Sequence, residues 1–380
     1  MSSQKNIFFA TCAPGVEPVL HEEIRALRLP RSERQVGGVY FEGGIEAARR
    51  ANLWLRTAIR VLMRVQRFAC GDEGTLYAET KRVPWESFLR ADGGLVVDAQ
   101  SRDSSLSHSR FIEQRVKDAI VDRFREKTGR RPNVDREGAD LGVHAHLFRD
   151  RCTLSVDTSG HALHRRGWRK HQGRAPLAET LAAAVVKFSG WDGRAPLLDP
   201  FCGSATIPIE AALMAAGIAP GLFSQGFGFE NWPGHDTKAW EREKSEAHQK
   251  RRSPKRLRLY GTDRDKQRIG EARENAASAG VGDQVELEVA DAREFAPRRG
   301  WNAWIASNLP YGERIDRGID LEVLYERFGD ALRTHCEGYH VALLCPLGPL
   351  TKRLGLRRPE RHTLLNGGLD CRLLCAKIDP

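Results

Sequence analysis

Four consecutive residues, Asn308-Leu309-Pro310-Tyr311, set an amide acceptor, a proline-fixed turn and an aromatic face side by side, just after an apolar stretch at 301–307 that reads as a strand. Such a set can hold a flat base by its exocyclic amine. The Asn308 side-chain oxygen and the Leu309 carbonyl can each accept from an amine proton, and a tyrosine ring can stack on the base. An exocyclic amine is a poor nucleophile while its lone pair is delocalised into the ring, and two acceptors drawing on its protons push the nitrogen towards tetrahedral geometry. Glu313 and Arg314 follow at once and could meet the base or its phosphate, or simply pair with each other.

Chemistry on an amine needs a second reactant, and three acids upstream offer a place for one. In Leu197-Leu198-Asp199-Pro200-Phe201-Cys202-Gly203-Ser204-Ala205-Thr206 an apolar strand ends in an acid, followed by a glycine turn and a helix with Pro208 near its start. Strand C-termini of this kind receive nucleotide-like cofactors. Gly203 lets backbone come close to a ligand, and Asp199 can hold a charged or hydroxylated part of it. There is no G-x-G-x-x-G, which disfavours a pyrophosphate cradle. The next strand ends in Gly261-Thr262-Asp263, where a carboxylate can accept both ribose hydroxyls, and 285–290 leads to Asp291, placed to accept from an adenine amine. One such acid alone is usually a turn residue or helix cap. Three at successive strand ends, with Asn308 after them, point to cofactor binding.

The elements that must carry these residues follow from hydrophobic periodicity. A helix is expected over 176–188, and strands at 197–198, 257–260, 285–289, 304–307 and 341–345 alternate with helices as in a doubly wound sheet. The pair 361–365 and 371–377, turning at Asn366-Gly367-Gly368, reads as an antiparallel hairpin at the sheet edge. An insert at 220–256, aromatic early and basic late, is expected to be irregular. Ahead of this half, 7–11, 16–29, 38–41, 45–56 and 59–68 give a βαβαβ order, a small α+β piece. A second unit over 71–160 has short helical pieces near Leu76 and at 85–89, a strand at 95–99, a long helix from Ser109 to about Lys127 and a hairpin over 141–156. The chain thus divides at 1–68, 69–160 and 161–380.

Across 380 residues, 60 Lys+Arg against 50 Asp+Glu leave a net charge of +10, which favours a polyanionic partner. The linker 161–174 gathers Arg165, Arg166, Arg169, Lys170 and Arg174 with three histidines, Trp168 and no acid. That composition suits phosphate and base contacts, although a solvated interdomain strand has the same composition. The acid-free basic run at the end of the insert has the same two readings. Eight cysteines are scattered without a CxxC pair, so neither metal nor redox work is expected, and a reduced, cytoplasmic protein is. Neither a signal-peptide cleavage pattern nor an apolar run of bilayer length is present.

The turn DPFCGSAT (199–206), the acid of GTDRD (261–265), NLPYGER (308–314), and HRRGWR (164–169) with APLAETLAAA (175–184) together resemble the S-adenosylmethionine-dependent RNA guanine-N2 methyltransferases that carry a THUMP domain. The nearest are the bacterial enzymes acting on 23S, large-subunit ribosomal RNA. The resemblance runs from Asn6 to the end. It implies a Rossmann-like class I methyltransferase domain preceded by a ferredoxin-like piece and a THUMP module. It also implies S-adenosylmethionine as cofactor, with Asp199, Phe201, Cys202 and Gly203 at its methionine end, Asp263 at its ribose, and Asp291 with Ala292 at its adenine. Asn308 and the Leu309 carbonyl would hold the target amine in a turn fixed by Pro310, with Tyr311 stacked on the flipped base. Apart from the resemblance, the basic composition of the linker makes Arg165, Arg166 and Arg169 the expected RNA contacts, with Arg314 beside the turn.

Two residues depart from the family pattern. Ala205 stands where a second glycine is usual, at the start of a helix, and is expected to be tolerated. Leu309 replaces the first proline of an NPPY turn, keeping the carbonyl but leaving a less rigid turn. The same turn also serves enzymes acting on adenine or on protein glutamine, and THUMP-bearing relatives also act on tRNA guanine. A non-catalytic RNA-binding assembly factor with a surviving methyltransferase scaffold is a further alternative, against which the intact series of acids argues.

Overall fold

The computed structural model describes residues 5–134, 138–172, 176–254, 257–311 and 320–379. In the first part, period-two apolar patterns become strands and 3.6-period patterns become helices. The order is β1 (Asn6–Thr11), α1 (Glu17–Ala26), β2 (Glu33–Gln35), β3 (Gly38–Gly43), α2 (Ile45–Trp54) and β4 (Arg60–Ala69). There follow α3 (Glu73–Arg82), β5 (Gly94–Arg102), α4 (Ser109–Thr128), β6 (Asn133–Val134), β7 (Leu141–Phe148) and β8 (Arg151–Asp157). In β7 the inward residues Leu141, Val143, Ala145 and Leu147 are buried, and β8 returns Cys152, Leu154 and Val156 to the same core. The stripe Ile112, Val116, Ala119, Ile120 and Phe124 lays α4 on that core, and Gly129 ends the helix at φ 67°, a left-handed position that suits glycine.

All eight strands form one sheet in the order β2-β3-β1-β4-β8-β7-β5-β6. The expected boundary at residue 68 falls inside β4, which pairs along its length with β8, antiparallel. The two small N-terminal units therefore share one ladder of hydrogen bonds. The short edge strand β2 has every residue exposed, so no apolar pattern announces it.

The second half runs α5 (Glu179–Phe188), β9 (Leu197–Asp199), α6 (Thr206–Ala215), α7 (Thr237–Gln249), β10 (Leu259–Asp263), α8 (Lys266–Ser278), β11 (Val285–Val289) and β12 (Trp304–Asn308). It closes with α9 (Leu321–His335), β13 (His340–Pro346), α10 (Leu350–Arg353), β14 (Glu360–Asn366) and β15 (Leu369–Lys377). The sheet order is β11-β10-β9-β12-β13-β15-β14, with β15 antiparallel to both neighbours. Strand order reverses between β9 and β12, and a crevice opens at such a switch point beyond the strand C-termini. Asp199 and Asn308 end those two strands.

The insert at 220–256 is more regular than its composition suggests. Two 3-10 turns, at Pro220–Phe223 and Gly228–Asn231, precede α7, and Phe227, Phe229, Trp232 and Trp240 are buried. Their burial is what orders the segment. It docks on the N-terminal sheet: the Phe229 N–H donates to the Thr158 carbonyl at 3.1 Å, and Arg49 pairs with Glu243 at 2.8 Å. Of its basic run, Lys250, Arg251 and Arg252 are exposed, while Lys255 and Arg256 lie outside the described residues.

A second contact between the halves is ionic and buried. Arg56, which follows α2, donates through Nη2 to the Ile218 carbonyl at 2.5 Å and lies 3.8 Å from Glu210, itself fully buried on α6. Arg166 joins them, 3.3 Å from Glu210 and 2.5 Å from the Arg56 carbonyl. Burial pushes the Glu210 carboxyl up, and the two guanidinium groups oppose that shift. Removing one member of such a cluster leaves an uncompensated buried charge.

Candidate active site

At the switch point the predicted residues meet around one cleft of about 920 Å³. Its wall takes Asp199, Phe201, Cys202 and Gly203 from the β9–α6 turn, Asp263 from β10, Asp291 and Ala292 after β11, and Asn308, Leu309 and Pro310 after β12. The sequence-predicted cofactor residues and three of the four predicted catalytic residues are thus brought together.

Asp199 is 2% exposed, and its Oδ1 accepts from the Ser307 hydroxyl at 2.5 Å and from the Phe201 N–H at 3.2 Å. Burial pushes its carboxyl up to about 7, against the pull of those two hydrogen bonds, and nearby Asp263 adds to the rise. Asp263 accepts from the Gly203 N–H at 3.1 Å and the Asp265 N–H at 3.0 Å, and burial raises its carboxyl as well. A carboxylate has about four acceptor positions, which leaves Asp263 roughly two for a ligand. Asp291 takes Arg293 in a two-pronged pair, with Nε at 3.0 Å from both oxygens and Nη2 at 2.5 Å from Oδ2, and this holds its carboxyl below the usual range.

The turn itself is shaped for close approach. Gly203 has φ 51°, and a Cβ there would meet nothing within 4 Å, so its backbone borders open space. Cys202 packs against Gly261, where any Cβ would come within 3.1 Å of the sulfur, and its burial keeps the thiol protonated. Ala205 is more strained than its position suggested. It caps α6 in the left-handed region, φ 60° and ψ 31°, where a Cβ is disfavoured and the usual glycine is not.

Around Asn308 the structure holds the turn more firmly than the missing proline suggested. Leu309 is fully buried and its N–H donates to the Leu344 carbonyl at 2.9 Å, while the Tyr325 hydroxyl donates to the Pro310 carbonyl at 3.2 Å. Asn308 Oδ1 is buried and has no hydrogen-bond partner among the described residues. An orphan acceptor of this kind in a cleft wall has its capacity open to a donor on a bound ligand.

Three expectations need correction or restriction. Tyr311 is 3% exposed, packed in the core with its hydroxyl accepting from Asn366 Nδ2 at 2.6 Å, so its ring would have to leave that packing to stack on a base. Arg166 is 3% exposed inside the Glu210 cluster, and the side chain of Arg169 is 6% exposed against Glu179, so neither guanidinium is available to RNA. Trp168 is buried too. Two of the linker's charges, Arg166 and Arg169, are matched internally by acids on α6 and α5, which a local reading of composition could not see. Arg165 is exposed as expected, and Arg314 and Glu313 lie outside the described residues. Sequence reasoning missed Ser307, Tyr325 and Asn366. Of these only Ser307 carried a signal, a lone hydroxyl in an apolar strand immediately before Asn308.

A family profile described as the RMKL-like methyltransferase domain matches residues 166–374, an RlmL ferredoxin-like domain profile matches 7–62, and a THUMP domain profile matches 70–157. Among curated proteins the chain is 42% identical over 376 residues to the ribosomal RNA large subunit methyltransferase K/L of Syntrophotalea carbinolica, covering 97% of this chain and 53% of that one. It is 40% identical over 384 residues to the protein of the same name from Pseudomonas aeruginosa, covering 98% and 53%. The chain spans about half the length of these relatives. Among solved structures it is similar to SMU.472, described as a candidate methyltransferase complexed with SAH (TM-score 0.88, 30% identity, 99% and 98% of the two chains). It is also similar to a protein from Listeria monocytogenes described as a predicted N6-adenine-specific DNA methylase (TM-score 0.88, 32% identity, 99% and 97%).

Proposed function

Because the chain belongs to the RMKL-like methyltransferase family, with RlmL-type ferredoxin-like and THUMP domains ahead of the catalytic domain, we propose that it methylates the exocyclic N2 amine of a guanine in 23S ribosomal RNA, using S-adenosylmethionine. The observation that carries this reading is Asn308 Oδ1, without a partner among the described residues, in a cleft wall that also holds the three strand-end acids. Ribosomal RNA is favoured by the names of the 40–42% identical relatives, by the THUMP module and by the net charge of +10. The Listeria neighbour's name points to another amine, on adenine, so the name of a relative alone does not choose the base.

The fit to the cofactor rests on this chain's own geometry. Gly203 leaves backbone open to a ligand, Asp263 has acceptor capacity left for a pair of ribose hydroxyls, and the buried Asp199 suits a cationic group. When bound, the cofactor supplies an activated methyl group on a sulfonium. Asn308 Oδ1 and the Leu309 carbonyl accept from the two amine protons, freeing the nitrogen lone pair, and the Leu344 and Tyr325 hydrogen bonds keep those acceptors in place. Most of the rate gain then comes from orientation. The amine's surplus proton passes to solvent. The target guanine must leave its stack to reach the cleft.

A pH dependence follows from Asp199. Its folded carboxyl holds a proton up to about pH 7, so the carboxylate that attracts a cation forms only as pH rises through that value. S-adenosylmethionine carries one more positive charge than SAH. The ratio of their affinities is expected to rise from pH 6 to pH 8 in the wild type and to stay flat in Asp199→Asn. Calorimetric titration at both pH values checks this, and a flat wild-type ratio removes Asp199 from the cationic end.

Methyl transfer to unmethylated 23S RNA and to tRNA, followed by nucleoside analysis, tests the reading as a whole. N2-methylguanosine from 23S RNA is expected. The same nucleoside from tRNA alone moves the substrate, and N6-methyladenosine overturns the choice of base.

A further inference from the structure

Arg169 is the linker residue with the densest set of partners. Its Nε donates to Glu179 Oε1 at 2.8 Å, Nη1 to Ser204 Oγ at 3.2 Å, and Nη2 to the Leu177 carbonyl at 2.9 Å and Thr206 Oγ1 at 3.1 Å. Ser204 and Thr206 flank Ala205, the alanine held at φ 60°. From the other side the fully buried Asn275 of α8 reaches the same turn, with Nδ2 donating to the Ser204 carbonyl at 3.4 Å and to the His171 carbonyl at 3.1 Å. Asn275 Oδ1 accepts from the N–H groups of Lys170 and His171, at 2.8 and 3.0 Å. The linker and α8 therefore grip one short turn from both sides. The residue before that turn is Gly203, the open backbone of the cleft.

An alanine in the left-handed region does not stay there on its own preference, so something must hold it. A guanidinium can do so because its fixed fork reaches two hydroxyls and a carbonyl at once, which a lysine ammonium on a flexible stem cannot match. We propose that Arg169 is a positioning residue for the cofactor: anchored by Glu179, it fixes the Ser204–Thr206 turn in the conformation that presents Gly203 to the methionine end of S-adenosylmethionine. The proposal rests on the donor assignment made above. It gives Arg169 a task in the methyltransferase domain in place of an RNA contact.

The bland alternative is a buried ion pair that only stabilises the fold, and the two make different predictions for a double replacement. Arg169→Met leaves Glu179 buried and unpaired, and both stability and SAH affinity are expected to fall. Arg169→Met combined with Glu179→Met removes both charges, so the thermal midpoint is expected to recover while SAH binding stays at least tenfold weaker than wild type by calorimetry on the full chain. Recovery of affinity along with the midpoint overturns the proposal. Arg169→Lys keeps a charge for Glu179 and offers a second measurement should the methionine variants fail to fold. It is expected to fold and to bind SAH several-fold more weakly, and wild-type affinity in it counts against Arg169. If the wild-type chain itself does not bind SAH, the donor assignment falls. If it binds and the double variant binds equally well, only the role of Arg169 falls.

Discussion

Replacing Asn308 with alanine is expected to lower kcat for methyl transfer by about 10²–10³-fold, the usual loss when one preorganised polar contact to a reacting group is removed. SAH affinity should stay close to wild type, because the assignment gives Asn308 to the target amine and the cofactor to the β9, β10 and β11 strand ends. The split between the two measurements is the informative part. Asn308 Oδ1 is buried and has no hydrogen-bond partner among the described residues, so its loss breaks no bond to that oxygen there. A thermal midpoint measured beside the assay separates lost chemistry from a folding defect. Transfer assays with radiolabelled donor at saturating RNA, beside calorimetry with SAH, check both halves. Full activity in the variant would mean the amine is held elsewhere.

Asp263→Ala is expected to weaken SAH binding about 10- to 100-fold, since hydrogen bonds to a charged group contribute about 1.5–3 kcal/mol. The alanine also frees the Gly203 N–H, so part of that loss reflects a disturbed turn. An SAH analogue lacking both ribose hydroxyls separates the two effects. It should bind the wild type much more weakly than SAH does, and should distinguish wild type from variant far less. If SAH and the analogue lose affinity equally on mutation, Asp263 serves the turn and not the ribose.

The catalytic half was legible because its chemistry lies at strand ends, where period and punctuation mark the position of each acid. Asp199, Asp263, Asp291 and Asn308 are far apart in sequence and converge because a doubly wound sheet gathers the C-termini of its parallel strands on one side. The arginines of the linker misled for the opposite reason. Their partners, Glu179 and Glu210, sit 10 and 44 residues downstream in helices buried almost throughout, and nothing in the linker itself distinguishes a matched charge from a solvated one. Tyr311 is a similar case, since its hydroxyl is satisfied from the last hairpin, by Asn366, 55 residues downstream. The insert at 220–256, aromatic early and basic late, carries no sign in its own composition of what its aromatics pack against. They are ordered by a surface that belongs to the other half of the chain.

The pairing of β4 with β8 bears on how the chain is made. The Arg60–Asp157 ion pair at one end of that seam joins residues 97 positions apart. Until the ribosome has delivered β8, β4 emerges as an open edge, the kind of surface on which strands from other chains assemble. Long-range pairing of this kind is slow to form. A fragment ending at residue 68 should therefore self-associate, and one ending after residue 157 should not.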